Sequence, residues 1–191
     1  YVSLYLPSEV QWRHGDAAVT LAQRTDYPES EHVAFTVAST APTAFGLCLR
    51  IPAWTRDARV LVNGAPAAVA CTPGGWARVE RMWSDGDTVE LHLPLVVRME
   101  QIDPEHPRRV AIVRGPSVMV LDDWWMDEIP RLPEPDEIAS RVRPDEAPGV
   151  LQIVGPDGTA VNPRLRPYYA VVEAAPYRMY YDLDSLPVPV W

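Results

Sequence analysis

The sequence predicts an all-β fold, an antiparallel β-sandwich or jelly roll arranged as two packed sandwich domains. Three observations lead there. Short segments alternate apolar and polar residues with a period of two, helical periodicity is nearly absent, and glycine-centred turns recur at short intervals. In the first half the alternation runs through AVTLAQRT, HVAFTVAS, AFGLCLRI, ARVLVNG, GWARVER and TVELHLPL. In the second half it runs through RRVAIVRG, SVMVLDD, VLQIVGP, YYAVVE and YRMYYDL.

Each segment has its own justification. In TVELHLP, Val89, Leu91 and Leu93 fall on one face, while Thr88, Glu90 and His92 fall on the other, so His92 is expected in solvent. In AFGLCLRI, Phe45, Leu47, Leu49 and Ile51 share the apolar face, opposite Gly46, Cys48 and Arg50. Turns are expected at His14-Gly15-Asp16, Asn63-Gly64, Pro73-Gly74-Gly75 and Asp85-Gly86-Asp87, where glycine supplies positive φ. The run from Gly74 to Leu95 therefore reads as a hairpin. Gly115-Pro116 breaks a strand, at a point where the chain is expected to change sheets. The stretch 127–149 is rich in proline and acid and cannot be an interior strand; an exposed loop is expected. The boundary falls near Leu95 to Arg98, giving domains 1–97 and 98–191. VSLYL reads as a strand, so Tyr1 is expected to be a cut end.

Composition narrows the function. A net charge of -9, with every positive side chain an arginine, offers no basic stripe for nucleic acid or an anionic membrane. The arginine-only bias, beside abundant Ala, Pro and Val, fits a GC-rich bacterial genome. No apolar run reaches the length of a membrane span. Cys48 and Cys71 read as free thiols of a reducing compartment.

Chemistry is sparse. His14, His32, His92 and His106 share no metal-ligand spacing and read as surface residues. Phosphate-binding glycine loops and a nucleophile elbow are absent. Asp122 and Asp123, then Asp127 and Glu128, are the candidate glycosidase carboxylates. As strand neighbours, Asp122 and Asp123 point to opposite faces and can share a substrate only across a bulge, so a solvated strand end is the better reading. A self-sufficient hydrolase using Asp122 or Asp123 is the third reading of the chain. Aromatic rings are the better candidates, because their apolar faces stack on sugar rings. Trp54, Trp124 and Trp125 are the expected stacking residues, within a set that also holds Trp76, Trp83, Trp191 and Tyr168, Tyr169, Tyr177, Tyr180 and Tyr181. In each case, packing inside the sandwich is the competing use.

YVSLYLPSEV, QRTDYPES, LRIPAW followed by VNG, WSDGD and VAIVRGP occur in an order that resembles the C-terminal portion of glycoside hydrolase family 127, the β-L-arabinofuranosidase-like proteins. The resemblance runs from Tyr1 to Leu121 and weakens beyond Asp122. It implies an accessory β region packed on an upstream helical-barrel catalytic domain that holds a zinc-bound cysteine nucleophile and a glutamate acid/base. Neither Cys48 nor Cys71 matches those cysteines, so no catalytic, cofactor or metal residue is assigned to this chain. The partners it implies are the barrel, a glycan and a second copy of the chain. A free-standing carbohydrate-binding module is the alternative.

Overall fold

The computed structural model describes residues 1–121, 132–147, 149–172, 175 and 177–184, with the backbone alone for 161–163. The chain divides into two compact units, Tyr1–Leu95 and Val96–Trp191. The all-β prediction holds: strands dominate, and the described helical turns are two short 3-10 segments.

The first unit contains β1 (Ser8–His14), β2 (Ala17–Thr25), β3 (His32–Ser39), β4 (Thr43–Arg50), β5 (Arg59–Val62), β6 (Ala65–Pro66), β7 (Trp76–Trp83) and β8 (Thr88–His92). Six of them form an antiparallel sheet in the order β1-β2-β3-β8-β5-β6, and β4 pairs with β7 in a second sheet. One core joins the two. Val19, Leu21, Val33, Phe35, Val37, Val89 and Leu91 come from the large sheet, and Leu47, Leu49, Ala77, Val79 and Trp83 from the small one. Every second residue of β2 and β3 is buried, the period-two pattern made physical. Each fully buried aliphatic or phenyl side chain contributes roughly 1.5–3 kcal/mol.

Gly74 to Leu95 is not a hairpin. β7 runs along β4, from Thr43↔Trp83 to Arg50↔Trp76, whereas β8 lies between β3 and β5. The Ser84–Asp87 turn thus carries the chain from one sheet to the other. Local sequence shows where a chain turns; it does not show which strand waits on the far side.

The turn is held by two motifs distant in sequence. Asp87 accepts hydrogen bonds from the Ser84 amide and the Asn63 side-chain amide, each at 2.8 Å. Asn63 Oδ1 in turn accepts from the Thr88 amide at 2.8 Å. The Asn63 N–H donates to the Thr88 carbonyl at 3.0 Å. Asn63 has φ +51°, a left-handed conformation that asparagine tolerates better than most residues. Gly86 has φ +84° and donates to the Val37 carbonyl at 2.9 Å. VNG and WSDGD are two halves of one clasp.

VSLYL forms a single parallel bridge, Val2 to Leu49, rather than a strand. Its alternation is present, with Tyr5 buried between exposed Leu4 and Leu6. The Leu4 and Leu6 carbonyls, however, accept from the side-chain amide of Gln23 instead of a neighbouring strand. Tyr5 donates its hydroxyl proton to the Arg50 carbonyl, pinning the segment to β4.

The second unit contains β9 (Val97–Gln101), β10 (Arg109–Arg114), β11 (Ser117–Leu121), β12 (Val142–Pro144), β13 (Leu151–Val154), β14 (Ala160–Pro167) and β15 (Tyr180–Asp182). They form one antiparallel sheet in the order β12-β13-β14-β11-β10-β15, with β9 paired to β10. Val110, Ile112, Met119, Leu151, Ile153, Leu165 and Tyr181 build its core. Three expectations change here. Gly115-Pro116 does not switch sheets; it closes the tight β10–β11 hairpin around the Arg114↔Ser117 pair, with Gly115 at φ +55°. Glycine first and proline second suits a two-residue hairpin turn of the primed kind. Within 127–149, the described residues are more than a loop: Leu132 and Ile138 are buried in the core, and β12 forms a strand at the sheet edge, where Pro144 is tolerated. YYAVVE opens as a 3-10 turn, Tyr168–Ala170, with Tyr168 and Tyr169 exposed and Pro167 as its N-cap.

Candidate functional site

The aromatic candidates separate by burial. Trp54 is half-buried and packs against the first core, next to the fully buried Thr55. Trp124 and Trp125 lie outside the described residues, as do Asp122, Asp123, Asp127, Glu128 and Trp191. Trp83 is fully buried, and its indole N–H donates to the Phe45 carbonyl at 2.9 Å. Phe45 stacks on Trp83 at 5.4 Å, and Trp12 meets Phe45 edge-on at the same distance. These rings are structural.

Among the described tryptophans, only Trp76 is exposed, at 43%. Tyr1 meets it edge-on at 5.2 Å. On the same strand pair, a shallow cleft of about 310 Å³ is lined by Ala44, Phe45, Gly46, Glu80 and Arg81. Glu80 is the one carboxylate in that lining, and it is paired with Arg78 through an Nε–Oε1 hydrogen bond of 2.8 Å. Most glycosidases flank the bond with two carboxyl groups, and the resemblance implies a cysteine beside a glutamate. The cleft supplies one carboxylate, already engaged, and no cysteine lines it.

The histidines depart from expectation at one position. His14, His32 and His106 are exposed, but His92 is buried at 8% exposure. It lies on the polar face of β8, as alternation requires, yet β3 and β5 flank it in register with His32 and Arg59 as its cross-strand partners. Those two long polar side chains close over it. The His32 and His92 ring centroids are 3.8 Å apart. Arg59 Nη2 lies 3.4 Å from His92 Nδ1, and Glu90 Oε2 lies 3.9 Å from His92 Nε2. Burial, then the positive charge of His32 and Arg59, pulls the imidazole below its ordinary pKa. Glu31 completes the group: the ligand atoms of Glu31, His32 and His92 lie within 4.8 Å of one another.

Sequence reasoning missed this cluster because His92 lies sixty residues beyond His32 and strand register brings them together. The loop between β2 and β3 delivers Glu31, and His32 opens β3. Thr25 donates its hydroxyl proton to the His32 carbonyl at 2.7 Å, and the His32 amide donates to Ser30 Oγ at 3.1 Å. The Leu93 amide donates to the Glu31 carbonyl at 2.8 Å, tying that loop to the end of β8. Cys48 is buried and Cys71 half-buried, and both are free thiols.

A structure described as a glycoside hydrolase matches 90% of this chain at 25% identity and a TM-score of 0.64. A GH127 β-L-arabinofuranosidase from Geobacillus stearothermophilus T6 matches 94% at 26% identity and a TM-score of 0.65. A GH127 β-arabinofuranosidase matches 96% at 23% identity and a TM-score of 0.67, a likeness of fold. The chain spans about a third of the length of each, 34%, 33% and 34%. No curated protein sequence matches it. Residues 1–95, the whole of the first unit, match the family model described as "Beta-L-arabinofuranosidase, GH127 middle domain". The first unit is a middle domain of glycoside hydrolase family 127, the family the ordered motifs resemble, although they were read as its C-terminal portion.

Proposed function

We propose that the chain is a non-catalytic accessory region of a larger glycoside hydrolase resembling β-L-arabinofuranosidases, supporting a catalytic helical barrel elsewhere in that polypeptide. The observation that carries this reading is the middle-domain match across the entire first unit, in a chain that spans a third of its structural relatives. The described cleft holds a single, ion-paired carboxylate and no cysteine. Support for a docking role comes from the large apolar side chains left exposed in the first unit, Tyr1, Leu4, Leu6, Val10, Trp76 and Met82. The zinc and cysteine chemistry implied by the resemblance belongs to the barrel.

The test is hydrolysis by the 191-residue chain alone. At micromolar concentration it is expected to release no arabinose from a β-L-arabinofuranosyl substrate. Turnover that survives purification and falls in Glu80→Gln would overturn the proposal. The exposed apolar residues carry a second expectation: the chain enhances the fluorescence of a hydrophobic dye in its native state, below the onset of unfolding.

Trp76 favours a second reading, a glycan-binding face, because it presents the one exposed indole among the described tryptophans. On that reading, arabinan shifts the tryptophan fluorescence of the wild type and not of Trp76→Ala. An aromatic ring–sugar stack of this type depends on ring area, so Trp76→Phe, which lacks the reporting indole, retains part of the binding heat in calorimetry. No heat and no fluorescence change with arabinan removes it.

A further inference from the structure

We propose that Glu31, His32 and His92 form a binding site for a single divalent transition-metal ion of the zinc class. Two imidazole nitrogens and a carboxylate oxygen are a donor set that suits zinc, and three protein ligands leave a fourth position for water or an incoming donor. Bonds of about 2.1 Å in a tetrahedron place ligand atoms about 3.4 Å apart. The atoms of this cluster already lie within 4.8 Å of one another. Closing the remaining gap takes side-chain rotation alone, because the cluster pairs one fixed ligand with two adjustable ones. His92 is buried and sits in mid-sheet register, whereas His32 is exposed and Glu31 half-exposed.

The surroundings divide into groups that help and one that competes. Metal binding requires a neutral imidazole. Glu90, 3.9 Å from His92 Nε2, adds negative charge beside the site. Arg59 opposes it. Its guanidinium donates toward His92 Nδ1 at 3.4 Å. An ion at Nδ1 would compete for that same lone pair. With an ion at Nε2, Nδ1 must carry the proton and would face a donor. Either way the exposed Arg59 side chain must turn aside, so Arg59 lowers the affinity of the site. A bound ion ties the loop before β3 to the end of β8 and stabilises the first unit by linkage.

Calorimetric titration of the chelator-stripped chain with zinc chloride, paired with thermal melts, tests this. One ion is expected per chain, with a melting temperature raised by a few degrees at saturation. His32→Ala removes an exposed ligand; it is expected to leave the metal-free melting temperature almost unchanged and to weaken zinc binding by about tenfold or more. Arg59→Ala is expected to bind zinc more tightly than the wild type. His92→Ala is the less informative variant, since it also empties a buried position. Absence of saturable uptake overturns the proposal. So does uptake that His32→Ala leaves unchanged, which would assign the ion to the Cys71 thiol or the Asp103–His106 pair instead.

Discussion

Replacing Trp83 with alanine is expected to destabilise the first unit by about 3–5 kcal/mol, the usual cost of truncating a buried tryptophan or phenylalanine. Trp83 is the largest of the fully buried side chains and sits at 0% exposure where β7 ends. Its removal leaves a cavity between the two sheets, strips Phe45 of its stacking partner and orphans the Phe45 carbonyl that accepts the indole proton. Trp83→Phe keeps part of the packing and loses the hydrogen bond, so its cost falls in between. Denaturant unfolding followed by circular dichroism measures both. A midpoint unchanged within error in Trp83→Ala would mean that the small sheet is not held by this core.

The second large effect is expected at Asp87, through charge rather than volume. Its carboxylate accepts from the Ser84 amide and from Asn63, with Arg81 Nη2 at 3.6 Å, and its side chain is only 11% exposed. Asp87→Ala removes two hydrogen bonds to a charged carboxylate at the point where the chain crosses between sheets, a cost of about 1–3 kcal/mol. The same contacts, the Ser84 hydrogen bond foremost and then that of Asn63, hold the Asp87 carboxyl below its ordinary pKa of 3.8. The unfolded chain therefore takes up the proton first as the pH falls. The contribution is fully present above 3.8 and is lost as the pH drops through the lower, folded-state value. Wild type and Asp87→Asn are expected to differ in stability at pH 7 and to converge as the pH falls well below 3.8. A difference that persists unchanged at pH 2 would show that ionisation of Asp87 is not the source.

The clasp explains what could and could not be read from the sequence. Asn63-Gly64 and Asp85-Gly86-Asp87 were legible as turns, because positive φ restricts residue choice locally. That the two turns hold each other was not legible, since nothing within either segment names the other. β2, β3 and β4 were legible from alternation and match their predicted spans closely. The partner of β7 was not, because a turn between two strands looks the same whether they pair or part. VSLYL shows a related limit: its side chains alternate, but Gln23 takes the carbonyls a neighbouring strand would have used. Burial of His92 depended on His32 and Arg59 arriving from two other strands. Of the three tryptophans singled out for stacking, Trp54 is partly packed into the core and the other two lie outside the described residues, among which the exposed indole is Trp76. Exposure of an aromatic depends on which face of which sheet it occupies, and that is settled by topology.

The measurement that bears most directly on the accessory role is the mass of the native polypeptide that contains this sequence, determined on protein isolated from its source. An accessory region predicts a chain roughly three times the 21.4 kDa of these residues, in line with relatives of which they make up about a third. That longer chain, and not the 191-residue piece, is expected to hydrolyse β-L-arabinofuranosyl bonds. A native polypeptide of about 21.4 kDa that binds or cleaves glycan unaided would contradict the account.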